Sequence, residues 1–147
     1  MPTMESDSAR DAFPQRKTRI VIAEDNRAFR QALARLLSQE SDLEVIGEAV
    51  DGATAIEAAL RLRPEVLLMD VSMPGMNGID ATRAIRAQAP EVDIIALTVY
   101  QEPDQEAAMR GAGAVAYVTK TSPVEELLAA IRGHSKDPFF RLKVQGF

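Results

Sequence analysis

The sequence of 147 residues contains no cysteine and no tryptophan, and its only histidine is His134. The lack of cysteine excludes disulfide scaffolds, thiol catalysis and zinc–thiolate sites. A single histidine cannot build a histidine-cluster metal site, and a conventional Ser-His-Asp triad is not expected. We interpret His134 as a helix-end residue favourable to the helix dipole, and not as a phosphate relay.

The chain also has little positive charge and no long apolar run. Lys and Arg number 17 against 22 Asp and Glu, which gives a net charge of −5. An acidic surface argues against binding of nucleic acid, which depends on basic patches. No apolar run approaches the roughly 20 residues of a membrane span, and the N-terminus lacks the apolar core of a signal peptide. These absences predict a cytoplasmic protein that binds neither nucleic acid nor membranes.

The remaining composition is that of an ordinary globular chain of one-domain length. Hydrophobic residues make up 46% and charged residues 27%. Residues 1–17 mix acids, bases and prolines without a helix or strand period, which predicts a flexible N-terminal tail. The predicted domain spans residues 18–133, and residues 134–147 form a predicted C-terminal tail.

Within the predicted domain, short apolar runs alternate with segments of helical spacing. The runs are rich in Val and Ile, as is typical of buried strands, and they occur at 19–23, 43–49, 66–69, 93–97 and 114–118. Apolar stripes or Ala-rich segments indicate helices around 29–37, 53–62, 79–89, 103–110 and 124–131. The fourth of these helices, 103–110, is the least apolar.

Signals at helix ends support this alternation. Asp51 suits the N-cap of the second helix, and Ser122 with Pro123 suits the N-cap and first position of the fifth. Gly111 and Gly133 are expected to follow the ends of the fourth and fifth helices. Continuous apolar strands favour a parallel sheet covered on both faces, and right-handed crossovers then predict a doubly wound α/β fold of five strands and five helices.

Polar residues stand at the carboxyl ends of four predicted strands. Glu24 and Asp25 follow the first strand, Asp70 the third, Thr98 the fourth and Lys120 the fifth. In a doubly wound sheet these ends meet at one edge, where ligands bind. Three clustered carboxylates repel one another, and a hard divalent ion such as Mg²⁺ is a natural compensation.

The same residues suit phosphoryl transfer. A carboxylate can act as a nucleophile and form an aspartyl phosphate. The transfer then needs positioning and charge neutralisation, which Mg²⁺, Lys120 and the Thr98 hydroxyl could supply. The loop after Asp70, residues 71–78, contains one proline and two glycines that favour a tight path near a ligand. In this loop the backbone carbonyl of Ser72 is a candidate metal ligand.

These motifs together resemble the receiver domain of bacterial response regulators. The resemblance rests on Glu24-Asp25, Met-Asp-Val-Ser-Met-Pro-Gly-Met-Asn-Gly at 69–78, Leu97-Thr98, and Tyr117-Val-Thr-Lys120. It covers residues 18–133, and its last two motifs look most like receivers that often precede helix-turn-helix output domains. It implies a flavodoxin-like sheet with strand order 2-1-3-4-5.

The resemblance also implies roles for the acidic residues. Asp70 would accept a phosphoryl group from a sensor histidine kinase, a phosphotransfer protein or a small acyl phosphate. Asp25 would bind Mg²⁺ directly, and Glu24 would act mainly through water. Such a domain catalyses only its own phosphorylation and dephosphorylation, and is not otherwise an enzyme.

Three further residues would contact the phosphoryl group or respond to it, and of these Thr98 and Tyr117 would form the switch. Lys120 would contact the phosphoryl group, Thr98 would bind it after phosphorylation, and Tyr117 would rotate inward as Thr98 moves. The face formed by the fourth helix, the fifth strand and the fifth helix would then change its affinity for a partner or for a second copy of the chain.

Three features depart from the family. Its first acidic position is often Asp, and Glu24 is a mild variation. Thr121 follows Lys120 where the family often has a cis-proline, and because a non-proline cis bond costs about 2.5–4 kcal/mol, a cis bond is not expected here. The 14 residues after Gly133 are too few for a helix-turn-helix domain, so no output domain is expected.

Structural interpretations of these residues remain open beside the functional ones. Taken singly, Asp70 could cap a loop, Glu24 and Asp25 could be helix N-terminal acids, Lys120 could be a surface lysine, and Thr98 and Tyr117 could be ordinary strand residues. Tyr100 could shield a phosphoryl group or pack on the surface. Met73 and Met76 are expected to pack. The Phe139-Phe140 pair and Phe147 could fold back on the domain, join a partner or be disordered.

Two other functions remain open. A Mg²⁺-dependent phosphohydrolase with an aspartyl nucleophile commonly needs a second acid two residues later, where this chain has Ser72, so its turnover should be slow. An interaction module independent of phosphorylation would bind its partner equally well after Asp70→Asn.

Overall fold

The computed structural model describes residues 16–134, which form five strands and five helices in strict alternation. The strands are Thr18–Ala23 (β1), Leu43–Ala49 (β2), Val66–Asp70 (β3), Asp93–Thr98 (β4) and Ala116–Thr119 (β5). The helices are Arg27–Ser38 (α1), Gly52–Leu62 (α2), Gly78–Gln88 (α3), Pro103–Ala112 (α4) and Val124–Gly133 (α5). Most of both predicted tails, with the Phe139-Phe140 pair and Phe147, lies outside the described residues.

All strand pairs are parallel, and their order in the sheet is β2-β1-β3-β4-β5. This order confirms the predicted flavodoxin-like, doubly wound fold. After β2, which lies at one edge of the sheet, the chain crosses back over β1 and forms β3 on the other side of it. The carboxyl ends of β1 and β3 therefore lie side by side. Between residues 16 and 134, no helix is both long enough and apolar enough to cross a membrane.

The apolar strands are explained by a core on each face of the sheet. Along β1, Ile20 and Ile22 belong to one core together with side chains of α1 and α5, whereas Val21 and Ala23 belong to the other. That second core contains Ala-rich helices α2 and α3, whose small side chains allow close packing. Because successive strand residues point to opposite faces, two covered faces require a continuous apolar run.

Several predicted boundaries shift in the structure. The strand β5 begins at Ala116 rather than at 114, because its pairing with β4 starts there and extends to Thr119. Helix α4 continues past Gly111 to Ala112, and Gly113, at φ 120°, ends it instead. A Cβ atom at Gly113 would also overlap the Arg86 side chain, so glycine is required by both backbone and space.

Helix α5 differs from its prediction at both ends. Its N-cap is Pro123 and not Ser122, and the helix includes Gly133 before ending at His134. The Ser122 hydroxyl is hydrogen-bonded to the Thr119 hydroxyl and so does not cap the helix. His134 is the C-cap, which confirms its placement at a helix end. No peptide bond between residues 16 and 134 is cis, in agreement with the expectation for Thr121.

The loop that follows β3 is held close to the strand by its glycines. Gly75 has φ 73°, and a Cβ atom at Gly78 would lie 2.5 Å from the Asp70 carbonyl oxygen. The Gly78 amide donates to the Val71 carbonyl at 2.9 Å, which closes the loop on itself. Met73 is buried as predicted, whereas Met76 remains 41% exposed. The loop therefore keeps α3 tight against the end of β3.

Candidate functional site

The carboxyl edge of the sheet contains an acidic cleft of about 380 Å³. The five residues that were predicted from the strand ends line it, together with Ser72 of the loop after β3: Glu24, Asp25, Asp70, Thr98 and Lys120. Tyr100 and Gln105 line the same cleft, whereas Tyr117, on β5, is not among its lining residues. The sheet thus brings together side chains that are far apart in the chain.

Three carboxylates meet in this cleft. One oxygen from each of Glu24, Asp25 and Asp70 can be chosen so that all three lie within 4.8 Å of one another. Glu24 and Asp70 are buried, whereas Asp25 is exposed at the mouth of the cleft. Asn26 directly follows the Glu24-Asp25 pair and is the N-cap of α1. Its side-chain oxygen accepts a hydrogen bond from the Phe29 amide at 2.9 Å.

The Lys120 ammonium lies between the buried carboxylates. Its Nζ atom forms an ion pair with Glu24 and lies 3.4 Å from Asp70 Oδ2. The backbone amide of Lys120 donates to the Thr98 carbonyl at 2.6 Å, which fixes the start of the side chain beside β4. The ammonium also lies 4.8 Å from the centre of the Phe29 ring, a cation–π contact that the sequence analysis missed.

The environment of Asp70 raises its pKa to about 6. Burial is the main cause, and repulsion by the Glu24 carboxylate adds to it. Lys120 and the Ser72 amide, which donates to Asp70 Oδ1 at 3.2 Å, act in the opposite direction. Lys120 only partly offsets the repulsion because it serves two carboxylates at once.

The raised pKa predicts that Asp70→Asn stabilises the metal-free protein at neutral pH. The folded pKa lies above the usual value of 3.8, so ionisation of Asp70 disfavours folding increasingly from pH 3.8 and fully above about pH 6. We expect a gain of about 1–2 kcal/mol in the free energy of unfolding near pH 7.5, which vanishes below about pH 4. Urea unfolding with a chelator at both pH values measures it, and a variant less stable than the wild type near pH 7.5 would contradict it.

The donor set fits Mg²⁺. All three carboxylates offer oxygen, the ligand atom that this ion prefers, and the exposed Asp25 leaves room for the waters that it retains. When ionised, the three carboxylates exceed the single Lys120 charge by two, which a divalent cation would neutralise. The expectation that the Ser72 carbonyl is a further ligand stays a prediction.

The hydroxyl groups of Thr98 and Tyr117 converge on one side chain. Thr98 Oγ1 donates to Gln105 Oε1 at 3.0 Å and also to the Tyr100 carbonyl at 3.0 Å. Tyr117 Oη donates to the same Gln105 oxygen at 2.8 Å. Sequence reasoning missed Gln105, because a glutamine in the first turns of a polar helix carries no signal of such a role. Tyr100 is 71% exposed at the rim of the cleft.

The sequence also matches a known family along most of its length. Residues 20–132 match the sequence model of the response regulator receiver domain. This chain is a response regulator receiver domain. It therefore belongs to two-component signalling, within a family of signalling domains rather than of catalytic enzymes.

Relatives and solved structures agree with this membership. The receiver is 40% identical to the transcriptional regulatory protein LiaR of Bacillus subtilis, over 87% of this chain and 61% of LiaR. It is 38% identical to the oxygen regulatory protein NreC of Staphylococcus epidermidis, over 78% of this chain and 53% of NreC. This receiver thus spans only about half to three fifths of the length of these relatives.

Two solved receivers share the fold. One is the signal receiver domain of the response regulator NarL from Mycobacterium tuberculosis, with TM-score 0.74 and 31% identity over 80% of this chain and 98% of the other. A second is a DNA-binding response regulator of the LuxR family from Staphylococcus aureus, with TM-score 0.75 and 29% identity over 80% and 98%. These matches confirm the predicted likeness to receivers of DNA-binding regulators.

Proposed function

We propose that Asp70 is the phosphoacceptor of this receiver and that its phosphorylation switches the binding of a partner. The observation that supports this most strongly is the grouping of Asp70 with two further carboxylates within 4.8 Å and with the Lys120 ammonium at 3.4 Å. A carboxylate in this setting can act as a nucleophile toward phosphorus, provided that the charges around it are neutralised.

The proposed step is a transfer to the Asp70 carboxylate. One carboxylate oxygen forms a bond to phosphorus, and the bond from phosphorus to the donor breaks, with its electron pair leaving on the donor. The donor is a phosphorylated sensor histidine kinase, a phosphotransfer protein or a small acyl phosphate. Lys120 and, in the phosphorylated state, Thr98 contact the phosphoryl oxygens. Hydrolysis of the aspartyl phosphate resets the receiver, which acts on no other substrate.

Metal binding is part of the proposal. Glu24, Asp25, Asp70 and the backbone carbonyl of Ser72 would hold Mg²⁺, with Glu24 contributing mainly through water. When bound, the ion neutralises the carboxylates and the charge of the transferring phosphoryl group. Asp25, which is exposed, is the residue best placed to meet an ion entering from solvent.

The proposed output surface is the face formed by α4, β5 and α5. Helix α4 is loosely anchored, since Met109 and Ala112 are its only buried residues. Contacts that form only with the phosphoryl group would move Thr98, turn Tyr117 inward and shift α4. We propose that this changes affinity for a partner protein or for a second copy of the chain, in the cytoplasm.

The test is incubation of the chain with Mg²⁺ and acetyl phosphate, followed by intact-mass measurement. We expect a gain of one phosphoryl group that requires Mg²⁺ and is lost with a chelator. No gain under these conditions would overturn the proposal. Rapid multiple turnover of a phosphoester would instead favour the phosphohydrolase, and partner binding that is unaffected by phosphorylation would favour a plain interaction module.

A further inference from the structure

A single side-chain oxygen joins the two residues that are proposed to switch. Gln105 Oε1 accepts from Thr98 Oγ1 at 3.0 Å and from Tyr117 Oη at 2.8 Å. These three residues lie on different elements, Thr98 at the end of β4, Gln105 in α4 and Tyr117 in β5. The amide therefore ties α4 to the two strands at the output side of the sheet.

Both contacts would be lost if the two residues moved as proposed. The Thr98 hydroxyl has one proton, which it shares between Gln105 and the Tyr100 carbonyl, and it must leave both to donate to a phosphoryl oxygen. An inward turn of Tyr117 would likewise take its hydroxyl away from Gln105. If both residues move as proposed, the hydrogen bonds to Gln105 would exist only in the resting arrangement, that is, before phosphorylation.

We infer that Gln105 is a positioning residue that latches Thr98 and Tyr117 in the resting arrangement. This inference rests on the proposed function and adds to it the group that opposes activation. A latch that stabilises only the resting state lowers the population that is competent to bind a phosphoryl group. Removing the latch raises that population without touching the acidic residues.

The structure offers a matched control variant. Gln101 is the same residue type in the connection between β4 and α4, and it is exposed and outside the cleft lining. Gln101→Ala removes an equal side chain without removing the Thr98 and Tyr117 contacts. Gln105→Glu keeps an acceptor oxygen at the latch and tests whether hydrogen bonding, rather than bulk, is responsible.

The first readout is the NMR signal of the Tyr117 ring in protein that contains isotopically labelled tyrosine. The sequence has two tyrosines, so Tyr100→Phe identifies the remaining signal as that of Tyr117. Without ligand, Gln105→Ala should move the Tyr117 signal toward its position in wild type saturated with Mg²⁺ and beryllofluoride, a phosphoryl mimic. Gln101→Ala and Gln105→Glu should leave it near the resting position.

The second readout is the apparent dissociation constant for beryllofluoride at constant Mg²⁺. Loss of two hydrogen bonds made only at rest should tighten binding about three- to tenfold in Gln105→Ala. In the double variant Gln105→Ala/Tyr117→Phe, the change in the free energy of beryllofluoride binding should be smaller than the sum of the changes in the two single variants. The reason is that each single substitution already removes the hydrogen bond between Gln105 and Tyr117.

The outcomes separate this inference from the proposed function. If wild type neither binds beryllofluoride nor gains a phosphoryl group, the proposed function fails. If wild type does both, but Gln105→Ala matches Gln101→Ala in the tyrosine signal and in affinity, the latch alone is overturned. Weaker binding by Gln105→Ala would also overturn it, since Gln105 would then favour the phosphoryl-bound state.

Discussion

Asp70→Asn is expected to abolish phosphorylation of this receiver by acetyl phosphate. The amide that replaces the carboxylate is a poor nucleophile and brings no negative charge to the metal. We expect the rate to fall by at least about 10³-fold, which corresponds to about 4 kcal/mol in the activation free energy. Intact-mass measurement over time, with Mg²⁺ present, should show no added phosphoryl group within the period in which the wild type reacts fully.

The control for this variant is Asp80→Asn, which makes the same chemical change outside the cleft. The Asp80 side chain is 58% exposed in the first turn of α3, where it pairs with Arg83. It should be phosphorylated at the wild-type rate. A phosphoryl group on Asp70→Asn would contradict the assignment of the acceptor, and the expected stability of that variant makes loss of folding an insufficient explanation for inactivity.

Lys120→Met is expected to destabilise the metal-free receiver strongly. The substitution leaves two buried carboxylates, Glu24 and Asp70, without the ammonium that lies between them. Breaking a buried ion pair from one side costs about 3–5 kcal/mol, and proton uptake by Asp70 should limit the loss to about 2–4 kcal/mol near pH 8. Urea unfolding with a chelator measures the change.

The dependence on Mg²⁺ and pH distinguishes a charge effect from lost packing. Added Mg²⁺ should recover more stability in Lys120→Met than in the wild type, because the ion replaces the missing positive charge. Lowering the pH toward 5 should also recover stability as Asp70 takes up a proton. The control Lys17→Met removes an exposed lysine and should change stability little. A loss in Lys120→Met that is independent of both Mg²⁺ and pH would contradict this account.

The strands and their alternation with helices followed from local patterns. Apolar runs predicted all five strands, since a strand covered on both faces must be apolar at every position, as Ile20 and Val21 show. The acidic residues and Lys120 could be assigned to one edge because parallel strands place their carboxyl ends together. These inferences needed only the periodicity of the chain and the residue at the end of each run.

Helix ends were less predictable because other hydrogen bonds compete for the capping groups and because neighbouring helices limit the space at a helix end. The Ser122 hydroxyl bonds to Thr119 across a short turn and is therefore lost to α5 as a cap. The end of α4 depends on Gly113, where the Arg86 side chain of α3 leaves no space for a Cβ atom. The Arg86 contact joins two separate helices, and the sequence alone does not show that Ser122 bonds to Thr119 rather than to the start of α5.

The sequence by itself determined the fold class, the strand order through its family resemblance, and the set of polar residues at the edge of the sheet. Only the tertiary structure decided how those residues share their charges and hydrogen bonds. Lys120 pairs with Glu24, 96 residues away, as well as with Asp70, and burial of Asp70 raises its pKa. Gln105 joins Thr98 to Tyr117. Such pairings depend on distances between side chains from separate elements, which no local periodicity encodes.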